Sequence, residues 1–294
     1  MDLSKALQAS EGREKEHAER AALFSGLEQY SGEDKMVLFS DLVKELNESN
    51  KDNIKIMSRL KSLDDITDGF RPGQLIVLSA PTGQGKTVFL QSLTKTFSDD
   101  KIPTAWFSYE VPPAELKERF GNDVPVFYLP RKNKESNIEW LKIRTLEGIA
   151  KFGTKVIFID HLHYLLSMQE LSQARSISLL IGMLMRELKK FAIETETIIF
   201  LVSHLTKTKL EVVPTIDDLR DSSFVSQEAD LVMIMWRHRE IDKNSPTGYF
   251  YTNESRLVVD KNRWNGKLGY LKMLFKDGRF REISLLDPIG ELNL

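Results

Sequence analysis

Short apolar runs, separated by longer stretches with helical spacing, dominate the chain from about Ser62 onward. This alternation is typical of parallel β-strands connected by crossover helices. The runs are too apolar for a sheet with one exposed face, so we expect central strands covered by helices on both faces. They occupy residues 74–80, 104–110, 155–160, 197–204 and 230–237.

Two further patterns complete this α/β domain. Apolar residues recur at helical spacing over residues 177–191, which predicts a long amphipathic helix packed on the sheet. After Arg256, apolar and polar residues alternate on both sides of Asn265-Gly266, which predicts an antiparallel hairpin at the sheet edge. The expected fold class is α/β, a doubly wound, mainly parallel sheet with a C-terminal antiparallel hairpin.

The first 57 residues differ from the rest of the chain. Residues 12–30 favour a charged helix and residues 37–49 a shorter amphipathic one, but neither segment can build a core of its own. We expect residues 1–57 to form an N-terminal helical arm that packs on the main domain, residues 58–294, or on a neighbouring subunit. A disordered tail is the alternative.

Composition excludes several classes of protein. The sequence contains no cysteine, which excludes disulfides and thiolate zinc sites, and its five histidines do not show metal-ligand spacing. No run of about 18 apolar residues and no apolar N-terminal segment is present, so we expect a soluble, cytoplasmic protein without a membrane partner. The net charge is −2, but 8 basic and 2 acidic residues lie between positions 256 and 281. This stretch predicts either a local positive surface or a solvated strand face.

The strongest chemical signal is a glycine-rich loop between the first apolar run and a predicted helix. Its backbone N–H groups can surround phosphates, and the helix N-terminus adds partial positive charge. Lys86 is expected to reach the β- and γ-phosphates of a nucleotide, and the Thr87 hydroxyl to ligate Mg²⁺, so any metal should arrive with the nucleotide. The first position is alanine where the usual pattern has glycine. The predicted phosphate-binding residues are Ala80, Pro81, Thr82, Gly83, Gln84, Gly85, Lys86 and Thr87.

Two carboxylates follow buried strands. Because the carboxyl ends of parallel strands converge on the ligand, Asp160 at the end of the third run is predicted to hold Mg²⁺ through water. Glu110 ends the second run, on a strand expected to lie near that of the loop, and is predicted to be the general base for the attacking water. The alternatives are a structural carboxylate for Asp160 and a helix N-cap before Pro112 for Glu110.

Histidines supply one further candidate. His204 ends the fourth apolar run and is predicted to sense the γ-phosphate, with a purely structural histidine as the alternative. His161 and His163 are interpreted as structural or supporting residues, because no third ligand is expected near them.

These residues, in this order, resemble the motor domain of the DnaB-type replicative hexameric helicases from about residue 58 to residue 283. Ala80 is similar to the first position of that family's loop. Residues 214–237 resemble its D-L-R-E-S-G stretch and the strand that follows, and VDKNRWNG resembles its K-x-R-x-x-G hairpin. The sensor histidine is similar to the phage and mitochondrial relatives. The resemblance implies a RecA-like fold, ATP and Mg²⁺ as cofactors, a hexameric ring on single-stranded DNA, and primase or other replication proteins as partners.

The family's hairpin cations correspond to Lys261 and Arg263, which the resemblance places on the γ-phosphate of a neighbouring subunit. The physical interpretation agrees, because two cations far in sequence from the loop are useful there only if a ring brings them to another subunit's nucleotide. Solvated cations on a surface hairpin are the alternative. The family's channel loops correspond to residues 167–178 and 205–218, whose basic residues, suited to sequence-tolerant phosphate contacts, are Arg175, Lys207 and Lys209.

Three other functions stay open at this point. A recombinase or circadian-type ATPase of the same fold shares the loop and the base, although the DLRDS segment favours a helicase. A nucleotide-regulated assembly or loader protein would hydrolyse ATP without unwinding. A P-loop kinase fits least well, because nothing resembles an acceptor site or a lid.

Overall fold

The structure, a computed structural model, describes residues 15–16, 22, 24–49, 55–133, 135, 137–166, 176–205, 214–219, 222–246 and 248–283. The chain divides into two units, Met1–Asn53 and Ile54–Leu294. Within these described ranges, no helix combines the length and the apolar character that crossing a membrane requires.

The first unit contains the amphipathic helix that the sequence predicts, α1 (Phe39–Ser49). Residues 24–28, inside the predicted charged helix, are helical as well, and much of the remainder of that helix lies outside the described residues. Large apolar side chains of this unit are exposed to solvent, among them Leu38 at 68% and Phe39 at 74%. The unit therefore has unburied apolar surface, as expected for a segment that cannot form a core.

The second unit is built on one eight-stranded sheet with the order β2-β3-β4-β1-β5-β6-β7-β8. Its strands are β1 (Leu75–Ala80), β2 (Thr104–Ser108), β3 (Val156–Asp160), β4 (Ile198–His204), β5 (Leu231–Ile241), β6 (Tyr249–Asn262), β7 (Gly269–Lys276) and β8 (Arg279–Glu282). Its helices are α2 (Lys61–Thr67), α3 (Lys86–Asp99), α4 (Pro113–Phe120), α5 (Ile138–Phe152), α6 (Ile177–Glu194) and α7 (Ser222–Glu228). Short 3-10 helices occupy Leu162–Leu165 and Ile216–Asp218.

Helices cover the parallel part of the sheet on both faces, as predicted. Alternate residues of β1 point to opposite sides: Ile76 packs in the core layer that contains Phe89 and Phe97 of α3. Val77 packs in the layer that contains Leu188 of α6. Since both faces are buried, every residue of β1 is buried, which explains why the strand is apolar throughout and does not alternate.

Two expectations about the sheet need correction. The second apolar run forms an edge strand instead of a central one, and β2 ends at Ser108, two residues before Glu110. β2 is therefore not next to the loop strand β1, because β3 and β4 lie between them. The predicted hairpin around Asn265-Gly266 exists as β6 and β7, but the edge of the sheet is a further antiparallel strand, β8. The second unit also begins before residue 58, because Ile56 is buried in its core and pairs with Phe70.

Asp230, at the residue before β5, joins three elements by hydrogen bonds. Its Oδ2 accepts from the backbone N–H of Leu75 at 2.8 Å and from Lys189 Nζ of α6 at 2.7 Å. Its carbonyl oxygen accepts from the backbone N–H of Arg263 at 2.8 Å. The Asp230 side chain is 10% exposed, so its charge is largely removed from water and depends on these partners.

We expect Asp230→Ala to lower the free energy of unfolding by about 2–4 kcal/mol, because it leaves the buried Leu75 N–H without its acceptor and the Lys189 ammonium with only the Gly73 carbonyl. Glu194→Ala is the matched control, since Glu194 pairs with Lys190 on the same helix while both side chains are more than half exposed. That change should cost less than about 0.5 kcal/mol. Urea denaturation of the three proteins measures both values, and equal losses would contradict the role given to Asp230.

Candidate functional site

The glycine-rich loop runs from the end of β1 at Ala80 to the start of α3 at Lys86, with Pro81 and Thr82 following the strand. Gly83 and Gly85 have φ values of 79° and 92°, in the left-handed region that favours glycine. A Cβ on Gly85 would also lie 3.3 Å from the Met235 Cε. The loop therefore has the backbone conformation and the strand-to-helix setting that a phosphate-binding loop requires.

Gln84 fastens this loop to the neighbouring strand. Its side chain is buried, and its Oε1 accepts a hydrogen bond of 2.7 Å from the backbone N–H of Arg237 in β5. Gln84 could be assigned to the loop from the sequence, but Arg237 could not be identified as its support. Chain position gives no signal for such a contact, because the two residues are 153 positions apart.

Lys86 is a nearly buried cation, only 7% exposed. Its Nζ donates to the Ala80 carbonyl at 2.9 Å and lies 3.4 Å from both the Pro81 carbonyl and His204 Nδ1. Burial lowers the pKa of Lys86 to about 8, while the carboxylates of Asp160 and Glu110 act in the opposite direction. The ammonium is thus folded back onto its own loop, at a place where an anionic ligand would stabilise it.

Thr87 and Asp160, the two residues predicted to hold a metal ion, are in direct contact. The Thr87 hydroxyl donates to Asp160 Oδ2 at 2.8 Å. Asp160 is fully buried, and its Oδ1 has no hydrogen-bond partner among the described residues. Burial raises the pKa of Asp160, and the Thr87 hydrogen bond partly offsets this effect. A hydroxyl beside a buried carboxylate with an unsatisfied oxygen fits Mg²⁺, which prefers oxygen ligands.

Glu110 lies in the turn after β2 and is exposed. The turn is fixed on either side of it: Ser108 Oγ donates to the Val111 carbonyl at 2.6 Å, and the Val111 side chain is buried. The Asn133 side-chain amide donates to the Ser108 carbonyl at 2.7 Å. The N-cap of α4 is Pro112, and no side chain caps that helix, so the alternative of Glu110 as an N-cap is wrong.

Three histidines gather beside Glu110. The rings of His161 and His204, which follow or end the neighbouring strands β3 and β4, lie 4.4 Å apart and nearly perpendicular. The His163 ring lies 5.5 Å from His161 and 6.4 Å from His204. Glu110, His161 and His204 each offer one ligand atom within 4.8 Å of the others. The expectation that no third ligand lies near His161 was therefore wrong.

Burial keeps His161 neutral. It lowers the pKa of His161 to about 3, and the neighbouring His204, His163 and Lys86 act in the same direction. Its Nδ1 is buried and has no hydrogen-bond partner among the described residues. Neutral imidazole is the form that accepts hydrogen bonds and binds metals.

Lys261 and Arg263 lie at the opposite end of the sheet from the loop. Lys261 pairs with Val232 near the start of β5, and the backbone N–H of Arg263 reaches Asp230, which precedes that strand. Lys261 is level with Val77 and Arg263 with Leu75, so at about 3.3 Å per residue they lie roughly 10 and 17 Å along the strands from Ala80. Neither cation can therefore serve the nucleotide loop of its own chain.

In this structure both cations bind the C-terminal end of α7. Lys261 Nζ donates to the Ala229 carbonyl at 2.5 Å, and the Arg263 guanidinium donates to the Gln227 carbonyl at 2.6 Å. The guanidinium also lies 3.8 Å from the Asp230 carboxylate. Burial, followed by the Arg263 charge, lowers the pKa of Lys261. Carbonyls at a helix C-terminus carry partial negative charge, so this is a favourable resting place for cations.

The turn that carries Arg263 is anchored on α2. The side-chain amides of Asn262 and Asn265 both donate to the Ile66 carbonyl, at 3.1 and 2.9 Å. The Arg71 guanidinium lies 3.9 Å from the centre of the Trp264 ring. The two cations of this hairpin could be predicted from the sequence, but the residues that hold its turn were missed. The asparagines that flank Arg263 and Trp264 are the signal that could have found them.

The three predicted DNA-binding residues, Arg175, Lys207 and Lys209, lie outside the described residues. The strands that precede these segments, β3 and β4, end at the same edge of the sheet as β1. Among the described residues of these segments, Leu205 pairs with Leu219.

Comparison with known proteins identifies the family. The model of the DnaB-like helicase C-terminal domain matches residues 55–124 and 122–282. Replicative DNA helicase DnaB of Leifsonia xyli subsp. xyli is 24% identical, over 77% of this chain and 55% of that protein. The same helicase of Mycoplasma genitalium is 26% identical, over 79% of this chain and 57% of that protein. The chain thus spans less than two thirds of the length of these relatives.

Two solved structures share the fold. One, an isolated ATPase domain, has a TM-score of 0.70 at 21% identity, covering 85% of this chain and all of that one. A DnaB-like replicative helicase, described with its interactions with primase, has a TM-score of 0.66 at 20% identity, covering 90% of this chain and 71% of that one. These likenesses establish the RecA-like fold of the sheet. Because the family model matches most of the sequence, the chain belongs to the DnaB-like helicase C-terminal domain family.

Proposed function

We propose that this chain is the ATP-hydrolysing motor of a ring-shaped DNA helicase, which moves on single-stranded DNA and separates duplex. One observation carries the proposal. The phosphate loop has a lysine, a metal-binding pair and a carboxylate beside it, whereas the two cations suited to the γ-phosphate lie at the other end of the sheet. Such a site is completed by a second copy of the chain, as in a ring.

In the proposed reaction, Mg²⁺-ATP binds on the loop and Lys86 exchanges the Ala80 carbonyl for phosphate oxygens. Thr87 and Asp160 would hold Mg²⁺, which would neutralise charge on the phosphates. Glu110 orients the attacking water and accepts its proton, since its carboxylate is exposed at the mouth of the site. His204 contacts Lys86 and is placed to respond to the γ-phosphate.

The neighbouring subunit contributes Lys261 and Arg263 to this reaction. Each would leave a helix-terminal carbonyl for the γ-phosphate, which carries full negative charge and binds a guanidinium more strongly than a carbonyl does. Arg263 would then stabilise the charge that develops in the transition state, so hydrolysis requires assembly.

DNA binding is assigned to the loops after β3 and β4, with Arg175, Lys207 and Lys209 on the phosphates of a single strand. The names of the relatives, which are replicative helicases, support this substrate. Primase is a candidate partner, because one of the related helicase structures is described with its interactions with primase. A cytoplasmic, hexameric assembly completes the proposal.

The metal pair gives the first functional prediction. Thr87→Val keeps the side-chain volume but removes the hydroxyl, so Mg²⁺-dependent binding of a fluorescent ATP analogue should weaken at least tenfold. Thr87→Ser, which keeps the hydroxyl, should bind within about threefold of the unaltered protein. In EDTA all three proteins should bind alike. Equal Mg²⁺ dependence of the valine and serine variants would contradict the assignment.

The subunit-shared site gives a second prediction. Glu110→Gln and Arg263→Ala should each lower steady-state, DNA-stimulated ATP hydrolysis by about 10²- to 10³-fold, because one removes the base and the other the cation in trans. Mixing them should restore part of the activity, since a Glu110→Gln subunit supplies Arg263 to the intact loop of an Arg263→Ala neighbour. Lys243→Ala, on the exposed β5–β6 turn, is the control and should leave hydrolysis unchanged.

Strand separation is measured in parallel on a forked duplex. Hydrolysis that is stimulated by single-stranded DNA and coupled to unwinding supports the helicase. If the rate of ATP hydrolysis did not change with DNA and was not lowered by Arg263→Ala, the proposal of a ring motor would be wrong. A partner-regulated assembly ATPase would then be the better explanation. Recovery in the mixture separates loss of a shared site from misfolding, because two misfolded variants cannot complement each other.

The N-terminal arm gives a third prediction. We propose that residues 1–57 hook the next subunit through their apolar side chains, such as Leu38 and Phe39, which are exposed within this chain. Deleting residues 1–45 should therefore shift the oligomer toward smaller species in analytical ultracentrifugation. Replacing Leu38 and Phe39 by serine should weaken assembly in the same direction, and Glu45→Gln on α1 should not. An unchanged oligomer after the deletion would exclude the hook.

A further inference from the structure

Three neighbouring strands each deliver one potential metal ligand to the same point. Glu110 follows β2, His161 follows β3 and His204 ends β4, and the order of these strands in the sheet is β2-β3-β4. One ligand atom from each residue lies within 4.8 Å of the other two. This convergence is distinct from the Thr87–Asp160 pair, which offers only oxygen ligands.

We propose that Glu110, His161 and His204 form a binding site for a divalent transition-metal ion of the Zn²⁺ type in the nucleotide-free protein. Two imidazoles and a carboxylate are an established ligand set for Zn²⁺, with bonds of about 2.0–2.2 Å and an open position for water. Such bonds place tetrahedral ligand atoms about 3.3 Å apart, so any pair that is further apart within the 4.8 Å limit must shorten. The exposed Glu110 side chain supplies that movement, because its carboxylate is not packed in the core.

The two histidines are the rigid part of the site. β3 and β4 pair up to Ile159 and Leu201, His204 pairs with Ala80 of β1, and the centres of the His161 and His204 rings lie 4.4 Å apart. His161 Nδ1 is buried and has no hydrogen-bond partner within the described part of the chain, so a metal ion would satisfy it. Mg²⁺ would not bind here in place of Zn²⁺, because it prefers oxygen ligands to imidazole.

Two charged neighbours act on the site in opposite directions. The Lys86 ammonium lies 3.4 Å from His204 Nδ1 and repels a dication. Asp160, one residue before His161, attracts it. Lys86 therefore weakens Zn²⁺ binding, although nucleotide binding requires it. A substitution of Lys86 should affect the two ligands in opposite directions.

Occupation would switch off hydrolysis. A metal ion bound to Glu110 and His204 withdraws the proposed base and the proposed sensor from the reaction. This consequence rests on the proposed function, whereas metal binding itself does not. Binding is therefore measured without nucleotide.

The test uses the full chain freed of metals. Zn²⁺ is titrated by calorimetry in buffer with excess Mg²⁺, and Co²⁺ is titrated by its visible absorption, which reports imidazole ligation. One ion per chain should bind. His161→Asn should weaken Zn²⁺ binding at least tenfold. Glu110→Gln should weaken it as well, and because it alters an exposed side chain, it tests the site even if His161→Asn does not fold. His238→Asn, a histidine outside the cluster, is the matched control.

Lys86→Met separates this site from the nucleotide site. It should abolish ATP hydrolysis yet tighten Zn²⁺ binding several-fold, because it removes the repelling charge and keeps an unbranched side chain only one atom shorter. Micromolar Zn²⁺ should inhibit hydrolysis by the unaltered protein, and the ratio of rates with and without Zn²⁺ should return toward one in His161→Asn. The proposal would be overturned if no Zn²⁺ bound. It would also be overturned if Zn²⁺ bound equally to the unaltered protein, His161→Asn and Glu110→Gln, even if ATP hydrolysis is found. Zn²⁺ binding in a protein without ATPase activity would retain the site and reject the motor.

Discussion

The register of the parallel strands is the constraint on which the candidate site depends. Ala80 at the end of β1 pairs with His204 at the end of β4, and Ser108 at the end of β2 pairs with Asp160 at the end of β3. Side chains alternate between the faces of a strand, so a slip of one residue would turn Asp160 or His204 away from the loop. The apolar residues that fill both core layers therefore determine the chemistry, because they fix this register.

This arrangement places charge where it is poorly solvated. The Lys86 ammonium rests on backbone carbonyls, and the buried Asp160 carboxylate has one satisfied oxygen and, among the described residues, one unsatisfied oxygen. Burial lowers the pKa of Lys86 and raises that of Asp160, so both groups would be stabilised by opposite charge. A phosphate supplies that charge for the lysine and a metal ion supplies it for the aspartate. The site thus favours the combination of an anion with a cation that a metal–nucleotide complex provides.

Much of the fold could be predicted from the sequence because its signals are local. The five apolar runs became strands whose ends differ by a few residues, and the helix over residues 177–191 is α6. The order of the strands is not local, since it depends on which helices pack together, and so the edge position of β2 was missed. β8 is four residues long, too short for an alternating pattern to reveal it. The same distinction between local and non-local signals applies to the candidate site. The phosphate loop and Asp160 could be named because their chemistry follows single strands, whereas Glu110 and His161 show no spacing that indicates their approach to His204.

The segment between β4 and β5 connects the two ends of the proposed mechanism. It begins after His204, and its Ile216 backbone N–H donates to Asp260 at 2.6 Å, one residue before Lys261. Its C-terminal part holds Lys261 and Arg263 through the carbonyls described above. Under the proposed function, the sensor of one nucleotide precedes this segment, and the cations offered to the next nucleotide bind carbonyls near the segment's C-terminal end. The segment therefore provides one route, along the chain from His204 to Gln227 and then through the hydrogen bond to Arg263, by which a change at the sensor can reach that cation.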